Sequence, residues 1–303
     1  MNRNRLNLLL LALVTGLTLT VLLTREEEEL PVPVLADLNT DQVNSIRISY
    51  PDQPAIELRQ QDQQWQLTAP VSAVAEAIEV SALTDLAALT STRQLAAAEL
   101  DLAQLGLAPP KFEIRLNDQL LQFGGIEPLE YQRYVMVGDT VHLVSDPPSA
   151  ALDEDFTDLI SKQLVPPGRK LTAVKLPDLL LSQDDPGWAL SPPQSDVSAD
   201  QLQQLADAWS SARALWQQAP EDDVDYSDQP QIELSLDDGS QIQLRLYARE
   251  PQLILARPAA QVHYHLSKAL ADELLQLPPA AEAVAADLDP VAEALAPAEA
   301  DGD

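Results

Sequence analysis

The chain has no cysteine. That single absence removes disulfides, thiolate metal centres, cysteine nucleophiles and a lipid-modified N-terminal cysteine. Basic residues are scarce: 18 Lys and Arg stand against 48 Asp and Glu, for a formal net charge of -30. Phosphate backbones and anionic lipid headgroups are held by Lys and Arg, so a surface of this sign repels both, and no nucleic-acid partner is expected. Aromatic residues make up only 4% of the chain, which points to a core of Leu, Val, Ile and Ala. Catalytic signatures are missing as well. There is no Gly-x-Ser-x-Gly elbow, no His-Glu-x-x-His helix and no glycine-rich phosphate loop. Gly124 and Gly125 stand as an isolated pair and read as the break of a strand. Acidic pairs such as Asp153 with Asp155, or Asp222 with Asp223, carry no information in so acidic a chain. No catalytic residue and no cofactor is assigned, and an envelope hydrolase stands last among the functional readings.

What is present begins with an apolar leader. Leu6 to Leu23 is uncharged, preceded by Arg3 and Arg5 and followed by Arg25 and the run Glu26–Glu29. About 18 residues at about 1.5 Å of rise give roughly 27 Å of helix, enough for a bilayer core. No small-x-small cleavage pattern follows Leu23, so the stretch is expected to remain as an anchor rather than be removed as a signal peptide. The positive-inside rule leaves the N-terminus in the cytoplasm. The expected location is the bacterial inner membrane, single-pass, with the body in the periplasm.

Beyond the anchor (1–25) come an acidic, proline-containing linker (26–40), a first α+β repeat (41–167), a second (168–278) and a disordered acidic Ala/Pro tail (279–303). The two repeats rest on period-2 strands that recur in the same order. Trp65 matches Trp188; Pro110, Glu113, Leu116 and Asp118 match Pro230, Glu233, Leu236 and Asp238; Val141-His142 matches Val262-His263. The expected fold is therefore α+β: an N-terminal transmembrane helix followed by two tandem antiparallel-sheet-plus-helix units, each β-β-β-α-β-β-β-α. Helices are expected over Val74–Leu89, Asp153–Leu164, Ser198–Gln217 and Lys268–Leu277.

The stretches Trp65-Gln66-Leu67-Thr68-Ala69-Pro70, Leu105-Gly106-Leu107-Ala108-Pro109-Pro110 and Phe123-Gly124-Gly125 leading to Tyr134-Val135 resemble a bacterial family, the domain of unknown function numbered 4340. The resemblance covers roughly Ile46 to Leu190; in the second repeat Tyr226-Ser227 replaces the Gly106-Leu107 element. It implies a membrane-anchored extracytoplasmic protein, with some members similar to auxiliary subunits of gliding-motility-type ABC transporters. It supplies no catalytic residue.

Two sets of residues invite a chemical reading. His263 and His265 share one face of a strand, a spacing that suits metal ligation, but the match of His142 with His263 favours an architectural role and no third ligand is evident. Trp209 and Trp216, seven apart on the expected second helix, suit either a core stripe or a platform for a ligand or partner. The resulting expectation is a non-catalytic, membrane-anchored interaction module with a protein partner in the envelope, accessory to an ABC-type transporter or an envelope assembly. The alternative is a glycan- or peptide-binding module with its site between the two repeats.

Overall fold

A computed structural model describes residues 13–16, 34–36, 38–146, 155–185, 187–221 and 223–279. Strands form where the apolar residues alternate. Ser45–Ser49 (β1) places Ile46 and Ile48 inward and Arg47 outward, and Phe112–Leu116 (β6) and Gln231–Leu236 (β14) repeat that pattern. The remaining strands of the first half are Ile56–Gln61 (β2), Gln64–Ala69 (β3), Ala73–Val74 (β4), Arg93–Ala96 (β5), Gln119–Ile126 (β7), Gln132–Val137 (β8) and Thr140–Ser145 (β9). Those of the second are Leu171–Lys175 (β10), Leu180–Asp184 (β11), Gly187–Ser191 (β12), Trp216–Gln218 (β13), Gln241–Ala248 (β15), Leu253–Arg257 (β16) and Val262–Leu266 (β17).

They make two antiparallel sheets, ordered β4-β3-β2-β1-β6-β7-β8-β9-β5 and β12-β11-β10-β14-β15-β16-β17-β13. Without the two-residue β4, the two orders coincide strand for strand. In each, a helix precedes the strand that closes the far edge: Ala77–Asp85 (α1) before β5, and Ala199–Ser211 (α2) before β13. A third helix, Lys268–Leu275 (α3), follows β17. Helix α2 starts at a capping box formed by Ser198 and Gln201 and buries Leu202, Leu205, Ala206 and Trp209. The Trp209 indole N–H donates to the Leu274 carbonyl (2.9 Å), tying α2 to α3. Buried apolar residues of both sheets belong to one contiguous core, which includes Ile48, Leu58, Phe123, Leu234 and Tyr264.

The segment after β9 joins the halves. Ser161 N–H donates to Val74 O (2.8 Å), while Leu164 N–H donates to Ala212 O (3.1 Å) and Ala214 N–H to Lys162 O (2.8 Å). One short run of backbone thus pairs with the inner edge of the first sheet and with the chain entering β13.

The fold corrects the α+β expectation. Among the described residues, seventeen strands in two antiparallel sheets dominate, and helices α1, α2 and α3 have only 9, 13 and 8 residues. Among the described residues, no helix is long and apolar enough to cross a membrane. Of Leu6 to Leu23 only residues 13–16 are described, and they are helical; the rest of that stretch, Glu26–Glu29 and the tail from residue 280 lie outside the described residues. The repeating unit also has five strands, not the expected three, on the far side of the helix; one of them, β5 or β13, returns to pair with β9 or β17. Of the helix expected over Asp153–Leu164, residues 153–154 lie outside the described residues; the rest is a 3-10 turn, Phe156–Leu159, followed by extended chain, since its backbone groups are taken by Val74, Ala212 and Ala214. The strand through Gly124 and Gly125 does not break there. It bulges, with Gly125 N–H donating to Leu105 O (2.8 Å).

Candidate functional site

Loop 127–131, between β7 and β8, is built to hold a fixed shape. The Glu127 carboxylate accepts from the N–H groups of Leu129 (3.1 Å) and Glu130 (2.7 Å), and Glu127 N–H donates to Gln132 O (2.7 Å). These bonds pin the turn so that Leu129 and Tyr131 stand out, 84% and 75% exposed. Beside the loop a groove of about 460 Å3 runs across the outer face of the first sheet, with Leu95, Leu129, Tyr134 and Leu143 among its walls. Thr92 Oγ1 donates to Gln132 Oε1 (2.7 Å) across it. The groove ends at β5, which pairs with β9 and ends the sheet, so among the described residues its outer side is an open edge. Periodicity could not single out Leu129 and Tyr131, because both lie between strands. The available signal was two large apolar residues in a loop that also carries Pro128 and two glutamates.

The second sheet presents an imidazole–aromatic face. Directly paired residues of antiparallel strands point to the same side. His263 lies across from Ala256 and Gln218, and His265 across from Ile254 and Trp216, so both imidazoles are on the outer face. The Tyr226 hydroxyl and His263 Nε2 are 2.7 Å apart, and the Tyr247 ring centroid is 4.6 Å from that imidazole. His265 stacks on Trp216 at 3.5 Å and 13°, and neither of its ring nitrogens has a hydrogen-bond partner among the described residues. Burial holds both histidines below their ordinary pKa, with the nearby Glu221 opposing the shift at His263 and the His263 ring adding to it at His265. Burial, with Tyr247 beside it, pushes the Tyr226 phenol up. A cleft of about 380 Å3 adjoins this cluster, lined by Glu221, Asp223, Tyr226 and Gln261 among others.

His263 and His265 therefore do lie together, but no group of three or more His, Asp or Glu suited to a metal ion occurs among the described residues. His142 is not their counterpart. It pairs with Val135 and Gln94 on the core-facing side of its sheet, where the second sheet has Tyr264 paired with Leu255 and Gln217. The tryptophans separate as well. Trp209 is fully buried in α2, whereas Trp216 lies past the helix end in β13 and is 41% exposed.

The seam between the halves is crossed by the chain itself. Glu76, buried just before α1, accepts from Arg213 Nη2 (3.0 Å) and from Lys162 N–H (3.0 Å), and Gln217 Nε2 donates to Ser161 O (3.2 Å).

No curated protein and no solved structure matches this chain. A family model does, from residue 65 in β3 to residue 223 just ahead of Tyr226. The match takes in α1, the groove of the first sheet, the seam, α2 and Trp216. It covers a little over half of the sequence, and the chain belongs to the family described as "Domain of unknown function (DUF4340)".

Proposed function

We propose that the protein is a non-catalytic interaction module of the bacterial cell envelope, held at the inner membrane by its leading apolar stretch, residues 6–23, with the two-sheet body outside the cytoplasm. The groove beside β5 carries the reading. An open strand edge next to an apolar-walled channel suits an extended segment of a partner protein, which adds main-chain hydrogen bonds along β5 and buries alternate side chains against Leu129 and Tyr134. Glu130 on the loop and the net charge of -30 favour a segment with basic flanks. Anchoring and orientation rest on the uncharged run Leu6 to Leu23 behind Arg3 and Arg5. The setting that the family resemblance implies is an accessory role beside an ABC-type transporter; an envelope assembly is the other setting that suits such a module.

A photo-crosslinking residue placed at Leu129 or Tyr131 of the full chain in cells tests this. The expected result is one discrete adduct from both positions and none from Gln203 on α2, abolished by Leu95→Asp in the groove. Adducts of the same size from all three positions would refute the groove as the site. Extraction of the intact full-length chain into the aqueous fraction by alkaline carbonate would refute the anchor.

A second reading draws on the exposed Trp216 and Tyr247 beside the Tyr226 cleft, a wall of rings suited to stacking on sugars. Titration with soluble peptidoglycan fragments separates the two: heat that is lost in Trp216→Ala supports the glycan reading, and no heat leaves the groove.

A further inference from the structure

On the outer face of the first sheet, away from the groove, β1 is flanked by β2 and β6. Arg59 lies directly across from Ser45, and Arg47 directly across from Arg115. With Ile46, Ile48, Leu58, Ile114 and Leu116 turned inward, the outward row leaves small Ser45 beside three guanidiniums. The result is a depression of about 150 Å3 lined by Ser45, Arg47, Arg59, Arg115 and Asn117, with Glu57 at its side. Glu57 satisfies Arg47, at 2.6 Å. Arg59 and Arg115 have no hydrogen bond and no ion pair among the described residues. Like charges set directly across two strands repel. In a chain with 48 acidic and 18 basic residues, two guanidiniums left without a carboxylate beside a third are an anomaly that an anionic occupant resolves.

We propose that this arginine depression binds carboxylates of the chain's own C-terminal segment, residues 280–303. Guanidinium groups match carboxylates through paired N–H donors, so Asp and Glu side chains suit the pocket's chemistry. The segment carries Glu282, Asp287, Asp289, Glu293, Glu299, Asp301 and Asp303, and no basic residue. Its 24 residues reach about 80 Å when extended, several times the radius expected of a compact chain of this size. Tethering makes the encounter intramolecular, at an effective concentration on the order of millimolar, so contacts too weak to hold a free peptide suffice. The ion pairs sit at an exposed surface and are therefore salt-sensitive.

The test is arginine footprinting of the full chain with phenylglyoxal, read residue by residue by mass spectrometry. At low salt, Arg59 and Arg115 should react about threefold more slowly in the native chain than in a full-length variant carrying Glu282→Gln, Asp287→Asn, Asp289→Asn, Glu293→Gln, Glu299→Gln, Asp301→Asn and Asp303→Asn. Arg249 should react equally in both. Raising the salt to about 0.5 M should bring the native chain to the rate of the variant, because the Debye length then falls to a few ångströms. Equal rates in the two chains at low salt overturn the proposal. So does protection that survives the tail changes and disappears on neutralising Glu26–Glu29 to Gln, which would assign the site to that run instead.

Discussion

Glu76 is where the two halves of the molecule meet in a single side chain, and its removal has a calculable effect. Its carboxylate is 8% exposed, while the Arg213 guanidinium it pairs with is 44% exposed. The other partner is a main-chain group, Lys162 N–H, at 3.0 Å. Glu76→Ala takes the acceptor from both. A hydrogen bond from a half-buried amide to a charged group contributes about 1.5–3 kcal/mol, and removing the carboxylate takes away that amide's acceptor. The guanidinium turns to solvent and adds no more than about 1 kcal/mol. The expected cost of Glu76→Ala is then about 2–4 kcal/mol. Glu76→Gln keeps an oxygen for Lys162 and should cost about 1 kcal/mol. Arg213→Ala should cost less than about 1 kcal/mol, since the carboxylate retains its amide donor and the lost pair was half in water.

Urea unfolding of the full chain measures all three variants. With a slope of about 2–3 kcal/mol per molar urea, Glu76→Ala should lower the midpoint by about 1 M, and Arg213→Ala by a small fraction of that. Buried Trp209 reports on the second half through its fluorescence, and far-UV circular dichroism reports on both sheets. If Arg213→Ala proves as damaging as Glu76→Ala, the reasoning fails: the ion pair, not the backbone acceptor, would then hold the seam.

Gly124 and Gly125 should behave oppositely when replaced by alanine. A Cβ on Gly124 would lie 2.5 Å from Leu105 O and 3.0 Å from the Leu107 side chain, whereas one on Gly125 meets Leu105 O at 3.4 Å. Thermal unfolding should show Gly124→Ala destabilised by about 2–3 kcal/mol and Gly125→Ala by less than about 1 kcal/mol; similar losses would show that the bulge is not clamped by the Leu105–Leu107 turn. Acid should act through the histidines. All three are held below the ordinary value of 6.5, each chiefly by burial. The unfolded chain therefore binds protons first as pH falls, so their contribution is complete above about 6.5 and is lost as pH falls through the lowered folded values. Urea midpoints should drop on going from pH 7 to pH 5, less steeply in His142→Leu, and a flat profile would contradict the shifts.

How much of this was written legibly in the chain depends on whether the relevant information is local. Alternation is local, and β1, β6, β14 and β15 follow directly from it, as do the capping residues of α2. Register is not. Matching Val141-His142 with Val262-His263 placed two histidines in one role, yet β8 and β9 are joined by two residues and β16 and β17 by four, ending with Gln261 in the left-handed region. The longer turn moves β17 two places further along relative to β16, so matching Val141-His142 with Val262-His263 is one residue out of register, and an error of one reverses every side chain. Tyr264, not His263, takes the position of His142, and His263 and His265 turn to the outer face of their sheet, where they are buried under the rings of Tyr226, Tyr247 and Trp216. The end of α2 failed for a related reason. Trp209 and Trp216 have helical spacing, but Ala212 and Ala214 leave the helix to pair with Lys162 and Leu164, fifty residues earlier in the chain. Those same bonds draw Asp155 to Leu164 out of a helix and place Glu76 under Arg213. The seam and the end of α2 follow from one pairing between distant segments, the imidazole–aromatic face from a longer turn, and the edge strands from their return to β9 and β17. None of these is a property of a single window of sequence, so reading each window by itself recovered the strands and missed the sites.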